Sequence, residues 1–207
     1  MHPARAFHES DPAILAQRVA ERGFAVVIGV KDGRPLVAHA PVVLDEGRLR
    51  FHLSAVNPLS EALKTSSWAL AVITGEDAYV SPDWYELADQ VPTWNYLSVE
   101  IEGPVRVLGR PAAASLLDDL AARYEGDLAP KPPWTRSKMD PARFEALLSG
   151  IVAFEMMVKR LAGVTKLSQN KPAELAQRVA RALGDLQDAG ARAIAARMLK
   201  RPATESP

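Results

Sequence analysis

"FAVVIGVKDGRPLVAHAPVVLDEGRLRFHL", residues 24–53, holds three strand-like runs separated by two tight turns, and it decides the fold class. Residues 24–30 form a continuous apolar run rich in β-branched side chains, the pattern of a strand buried on both faces. Asp32-Gly33 supplies a hairpin turn into "PLVAHAPVVL". Asp45-Glu46-Gly47 then turns the chain into "RLRFHL", where Leu49, Phe51 and Leu53 alternate with Arg48, Arg50 and His52. One face of that strand is core, and the other is polar and positive. Hairpin following hairpin is an antiparallel signature, because parallel strands need a long crossover between them.

The flanks add helices at the ends and in two connections. Asp11-Pro12 reads as a cap and first helical position, and Gly23 stops that helix immediately before the first strand. Asn57-Pro58 starts a short helix with Leu59 and Leu63 on one side. "SWALAVITG" and "AYVS" are expected as two strands on either side of a Gly75-Glu76-Asp77 turn. The longest strand candidate spans 94–108, bent at Gly103-Pro104. Helices follow over 112–124 and 141–149, then "GIVAFEMMV" as a last strand with a lone Glu155 among apolar neighbours. The chain finishes helically, with Leu175, Val179, Leu183 and Leu186 as one apolar stripe. Six or so antiparallel strands with these helices define an α+β fold, an antiparallel barrel decorated by helices. Strand and helix do not alternate regularly, and no Gly-x-Gly-x-x-Gly or P-loop is present, which disfavours a Rossmann-type nucleotide site.

Composition narrows the chemistry. With 207 residues, one large domain suffices, read as 1–207 with a basic helical appendage over 171–201. Zero cysteines exclude disulfides, thiolate metal sites and a Cys nucleophile, and the four His show no metal-binding spacing, so no metal is expected. No apolar run is long enough to span a bilayer and no signal-peptide core opens the chain, so a cytoplasmic, non-membrane protein is expected. Of the 25 Lys/Arg and 25 Asp/Glu, 10 and 4 respectively fall in residues 159–207. That basic segment on an acidic body suits an anionic partner, although a solvated helix face is the default reading of Arg178, Arg181, Arg192, Arg197, Lys200 and Arg201, since no aromatic interleaving or helix-turn-helix pattern accompanies them.

Aromatic residues are 6% of the chain, yet "YVSPDWYELADQVPTWNY", residues 79–96, gathers two Trp and three Tyr. Ser81-Pro82 and Val91-Pro92 stiffen this connection, so Trp84, Tyr85, Trp94 and Tyr96 either pack a barrel end or wall a planar ligand, with Ser81, Thr93 and Asn95 as hydrogen-bonding groups. In "FHLSAVNPLS", Ser54, Asn57 and the helix start could meet an anion beside Arg50 or His52, or Asn57 could simply cap. "KLSQNKP" is similarly open: Lys166, Ser168, Gln169 and Asn170 suit a phosphate or a ring edge, or form a helix-entry loop. No acid, base or nucleophile pair stands at a diagnostic spacing, so no catalytic residue is assigned.

Taken together and in this order, "HAP", "FHLSAVNP", "YVSPDWY", "VPTWNY" and "KLSQNK" resemble the PaiB family, the FMN-binding negative transcriptional regulators, over nearly the whole chain. The resemblance implies a split β-barrel related to the pyridoxamine-phosphate-oxidase-like flavoproteins, a homodimer with flavin sites at the interface, and FMN as cofactor. It places Arg50, His52, Ser54 and Asn57 near the flavin phosphate and ribityl chain. Trp84, Tyr85, Thr93, Trp94, Asn95, Tyr96, Lys166, Ser168 and Gln169 would border the ring or close the site from the partner. The loop over 86–90 is shorter than the family pattern and lacks its usual Lys. Repression of transcription, with DNA met by the basic C-terminal segment, is implied by the family name. An FMN-dependent oxidoreductase of the pyridoxamine-phosphate-oxidase-like class is the alternative, with the flavin carrying the chemistry.

Overall fold

A computed structural model of the chain describes residues 2–65 and 68–200. Ser67, the first residue of the expected "SWALAVITG" strand, and Arg201 lie outside the described residues. Eight strands are present: β1 (His8–Glu9), β2 (Phe24–Lys31), β3 (Arg34–Asp45), β4 (Arg48–Ser54), β5 (Trp68–Val80), β6 (Thr93–Val107), β7 (Ile151–Met157) and β8 (Arg160–Lys166). The helices are α1 (Pro12–Arg22), α2 (Pro58–Thr65), α3 (Arg110–Gly126), α4 (Pro141–Leu148), α5 (Ala173–Gly184) and α6 (Ala189–Lys200). The strands are ordered β1-β8-β6-β5-β2-β3-β4-β7, and β7 also pairs with β6, which closes six strands into the expected antiparallel barrel. By compactness the chain divides into a larger unit, Ala16–Ile73 with Glu100–Leu161, and a smaller one, Thr74–Val99 with the described residues of 1–15 and 162–207. β5 and β6 run through both.

In the larger unit the two turns of the opening stretch behave as their residues dictate. Asp32 and Gly33 have φ of 51° and 74°, and Glu46 and Gly47 have 45° and 73°. Two successive positive φ values mark the turn whose twist matches that of the flanking strands. They lock the registers Lys31↔Arg34 and Asp45↔Arg48. Leu49, Phe51, Phe154 and Met156 are fully buried, and Phe51 stacks on its β7 partner Phe154 with centroids 5.4 Å apart. Glu155 does not lie among apolar neighbours as expected: the period-2 alternation sends it to the outer face, where it pairs with Arg106 at 2.8 Å. Over the outer side of β7, Ala153 and Ile151 pack with Leu116 and Leu120 of α3 and Leu148 of α4.

β2 departs from the expectation of burial on both faces. Ala25 and Val27 are buried, but Phe24 and Val30 on the opposite face are 45% and 52% exposed. A continuous apolar run therefore has one face in the core and an apolar outer face as well. Gly103 does not break β6, which is continuous from Thr93 to Val107. A Cβ there would lie 1.9 Å from the Met157 carbonyl oxygen, so the residue answers to a close backbone approach.

In the smaller unit β5 continues through Gly75-Glu76-Asp77 instead of turning, because Gly75 lies tightly against Leu97 of β6. β7 is not the last strand. The chain returns as β8, which pairs with β1 at Val164↔His8 and Gly163↔Glu9. A Cβ at Gly163 would meet Leu15 at 2.4 Å and the Ser98 carbonyl at 2.9 Å, so the small residue that weakens the strand signal is what lets β8 fit. The final helical stretch is two helices. Val179 and Leu183 of α5 pack with Ile194 of α6, Val80 and Leu97, whereas Leu186 falls between the helices and is 40% exposed.

Candidate functional site

The aromatic segment of the smaller unit divides between its two readings. Ser81 caps a single 3-10 turn over Pro82–Tyr85, accepting from the Asp83 amide at 3.3 Å. That turn delivers Tyr85 into the core, 2% exposed, with Trp84 packed against the same cluster. Trp94, at the start of β6, instead remains 52% exposed and meets Tyr79 of β5 edge to face at 6.0 Å. Tyr96 follows on the same strand face, half-buried. Core packing thus claims one shoulder of the segment, and a flat exposed aromatic wall occupies the other.

Beneath that wall β6 sends Asn95 inward, fully buried, to Ser168 just past β8. Asn95 Nδ2 donates to Ser168 Oγ at 3.0 Å, Ser168 Oγ reaches Asn95 Oδ1 at 3.3 Å, and Tyr85 OH lies 3.4 Å from the same hydroxyl. Ser168 has φ of 57°, a left-handed conformation that costs a side-chain-bearing residue about 1 kcal/mol or more. Lys166 Nζ donates to Thr93 Oγ1 at 2.6 Å, and burial pushes its ammonium below the ordinary lysine value. Tyr85, Thr93, Asn95, Lys166 and Ser168, all expected at a site, line one pocket of about 200 Å³. Gln169 does not line it: its Oε1 accepts from the Leu167 amide at 2.7 Å and its Nε2 donates to the Ala6 carbonyl at 2.9 Å, tying down the amino-terminal segment. Phe7 and Lys171 line the pocket although sequence reasoning did not single them out. Lys171 was visible inside "KLSQNK", but nothing in the sequence marked Phe7.

The larger unit places the other expected residues differently. The guanidinium of Arg50 donates to Asp119 of α3 at 2.9 Å, so the positive face of β4 is answered by a helix. His52 stands opposite Ala153, itself packed under α3, and its Nδ1 is buried with no hydrogen-bond partner. Burial holds its imidazolium below the ordinary histidine value. Asn57 caps α2, accepting from the Leu59 amide at 2.9 Å. Ser54 is exposed at the end of β4, and its carbonyl accepts from Ser60 Oγ at 2.7 Å. Of the basic C-terminal residues, Arg178 is bound to Glu86 and Glu174 at 2.8 and 2.6 Å, and Arg197 to Glu76 at 3.0 Å. Arg181 and Lys200 are exposed.

Residues 1–160 match the family described as "Putative FMN-binding domain". The chain belongs to this FMN-binding family. A Bacillus subtilis protein, "Protease synthase and sporulation protein PAI 2", is 30% identical over 157 residues, covering 74% of each chain. "Uncharacterized protein AN0679" of Emericella nidulans is 25% identical over 209 residues, covering 80% of this chain and 83% of the relative. Two solved structures share the fold. The FAD and heme binding protein of Mycobacterium smegmatis superposes with a TM-score of 0.59 at 20% identity, covering 77% of this chain and 73% of the other. The conserved hypothetical protein Rv2991 of Mycobacterium tuberculosis does so with 0.61 at 14%, covering 83% and 94%. The architecture is the flavin-binding split barrel, and the cofactor of this family member is FMN. In the smaller unit Trp94 offers an exposed flat face suited to a ring, and in the larger unit Ser54 is an exposed hydroxyl suited to an anion. No helix among the described residues is long and apolar enough to cross a membrane.

Proposed function

We propose that this protein works as a homodimer with FMN at the subunit interface, in a regulatory role. One observation carries the dimer: the outer face of the larger unit's β2–β3–β5 ladder is apolar and open to solvent. Val26 and Ile28 sit between His39 and Val37 on one side and Val72 and Leu70 on the other. Val37 and Trp68 are 55% and 49% exposed, as Phe24 and Val30 are on the same face. A contiguous apolar patch of this kind marks an interface. A second copy suits it because an isologous contact brings the same flat face from both partners.

Bound FMN supplies reversible electron and hydride transfer. The chain's own part is to bind and orient. In the larger unit, Ser54 at the end of β4 can donate to the phosphate, while Arg50 and Asn57, already engaged, hold the surrounding elements in place. In the smaller unit, Trp94 and Tyr96 can border the ring, with Asn95 and Ser168 fixing the strand that carries them. The regulatory reading draws on the family and on the basic charge of residues 159–207. An FMN-dependent oxidoreductase is favoured by a different observation, that Arg178 and Arg197 are spent on internal carboxylates and so are less available to a phosphate backbone.

Absorption spectra of purified protein before and after FMN addition, with mass by sedimentation, test the central reading. No flavin uptake on titration would end it. DNA binding across a salt series, set against oxidation of reduced nicotinamide by the FMN-loaded protein, then separates regulator from reductase.

A further inference from the structure

The pocket of the smaller unit has a construction that flavin binding leaves unexplained. Lys166 Nζ lies over the Phe7 ring, 5.6 Å from its centroid, and Lys171 Nζ lies over Tyr85 at 5.1 Å while donating to Gln90 Oε1 at 2.7 Å. Both lysines line the same cavity, and no Asp or Glu lines it. Neither forms an ion pair among the described residues. A cavity lined by two ammonium groups and no carboxylate suits an anionic ligand. The floor is the buried Asn95–Ser168 pair, with Ser168 held at φ of 57°. Backbone strain kept at a pocket floor by surrounding structure is characteristic of ligand clamps.

Size and walls restrict the occupant. A volume of about 200 Å³ is below the roughly 300–1,000 Å³ of pockets that enclose drug-sized ligands, so the three-ring flavin is not enclosed here. Phe7, Tyr85 and Val91 give apolar walls, and Val91, 74% exposed, marks the mouth. A ribityl phosphate would set its hydroxyls against those walls. An acid with an apolar body matches walls and lysines together.

We propose that this pocket binds a small carboxylic acid with an apolar body, as a ligand additional to FMN. Lys166, oriented by Thr93, donates to the carboxylate; Lys171 balances its charge from the Tyr85 side; Phe7 and Tyr85 take the body. The proposal goes beyond the flavin reading and is tested separately from it.

The experiment is calorimetric titration of FMN-loaded protein with benzoate as the probe, with flavin absorbance followed in parallel and inorganic phosphate as the comparison anion. Benzoate is expected to bind more tightly than phosphate, and Lys166→Gln to weaken it by about tenfold or more, the scale of a charge-assisted hydrogen bond, with flavin content unchanged. Lys171→Gln, on a more accessible side chain, should weaken it by a smaller factor and serves if Lys166→Gln fails to fold. Absence of benzoate binding up to about 10 mM in the wild type, or equal binding in both variants, overturns the proposal. So does release of FMN by benzoate, because the pocket would then be the flavin's own. Protein that binds benzoate but takes up no FMN would refute the flavin reading and leave the pocket assignment standing.

Discussion

Ser168 carries two opposed contributions that its substitution by Gly and by Ala pulls apart. Its hydroxyl is the centre of a buried polar group, bonded to Asn95 at 3.0 Å and near Tyr85 at 3.4 Å, and its backbone sits at φ of 57°. Ser168→Ala removes the hydroxyl and keeps the strained conformation. Asn95 is then left fully buried with Met198 Sδ, 3.5 Å from its Nδ2, as its remaining partner, a loss of about 1–3 kcal/mol. Ser168→Gly loses the same hydroxyl but releases about 1–2 kcal/mol of left-handed strain. Part of that release, roughly 0.5–1 kcal/mol, is offset by the greater freedom of Gly in the unfolded chain. The Gly variant is therefore expected to be the more stable of the two, by about 0.5–1 kcal/mol, although it removes more atoms. Urea unfolding of wild type and both variants, with matched m-values, reads the order directly. An Ala variant as stable as Gly, or more stable, would show that the positive φ stores no strain. Asn95→Ala alone and with Ser168→Ala completes a cycle whose coupling should be about 1 kcal/mol, and additivity would deny the buried bond.

Three other outcomes are expected. Gly103→Ala drives a Cβ to 1.9 Å from the Met157 carbonyl oxygen, a backbone atom that cannot swing aside, and should cost about 3 kcal/mol or prevent folding, as soluble expression and thermal melting will show. His52 is held below its ordinary value of 6.5 by burial, so between the two values the unfolded chain binds more protons than the folded one. Its share of stability is intact above 6.5 and lost as pH falls toward the folded value. His52→Gln should accordingly flatten the stability profile between about pH 7 and pH 5, and an unchanged slope would refute the burial argument. Val37→Glu, on a 55%-exposed side chain of the apolar outer face, should leave the melting of the isolated chain intact and halve the mass seen in sedimentation; a wild type that already sediments as a monomer removes the dimer.

Residues close together in sequence settled the hairpins. Asp32-Gly33 and Asp45-Glu46-Gly47 are turn signals between strand-like runs, so the β2–β3–β4 hairpins and the inward set Leu49, Phe51 and Leu53 were legible without coordinates. The Asn57 cap of α2 was equally local. The motif order from "FHLSAVNP" to "KLSQNK" carried the family, and with it the split barrel and FMN.

What local pattern could not supply depended on partners distant in sequence. The apolar run of β2 fits two buried faces or one buried face and one docking face equally well, and only the placement of its neighbours shows Phe24 and Val30 in solvent. Arg50 and His52 looked like one open cationic face because nothing in "RLRFHL" reveals that α3, some 69 residues on, brings Asp119 over it. β8 was hidden by Gly163, whose value lies in the space Leu15 and Ser98 leave it. The pocket joins Phe7, just before β1, with Thr93 of β6 and Lys166 of β8, a meeting written in no single stretch of the chain. The sequence alone determined which segments turn, alternate and cap, because backbone sterics and side-chain period act over a few residues; tertiary structure decided which faces are covered and which charges are answered, because burial depends on everything that packs against them.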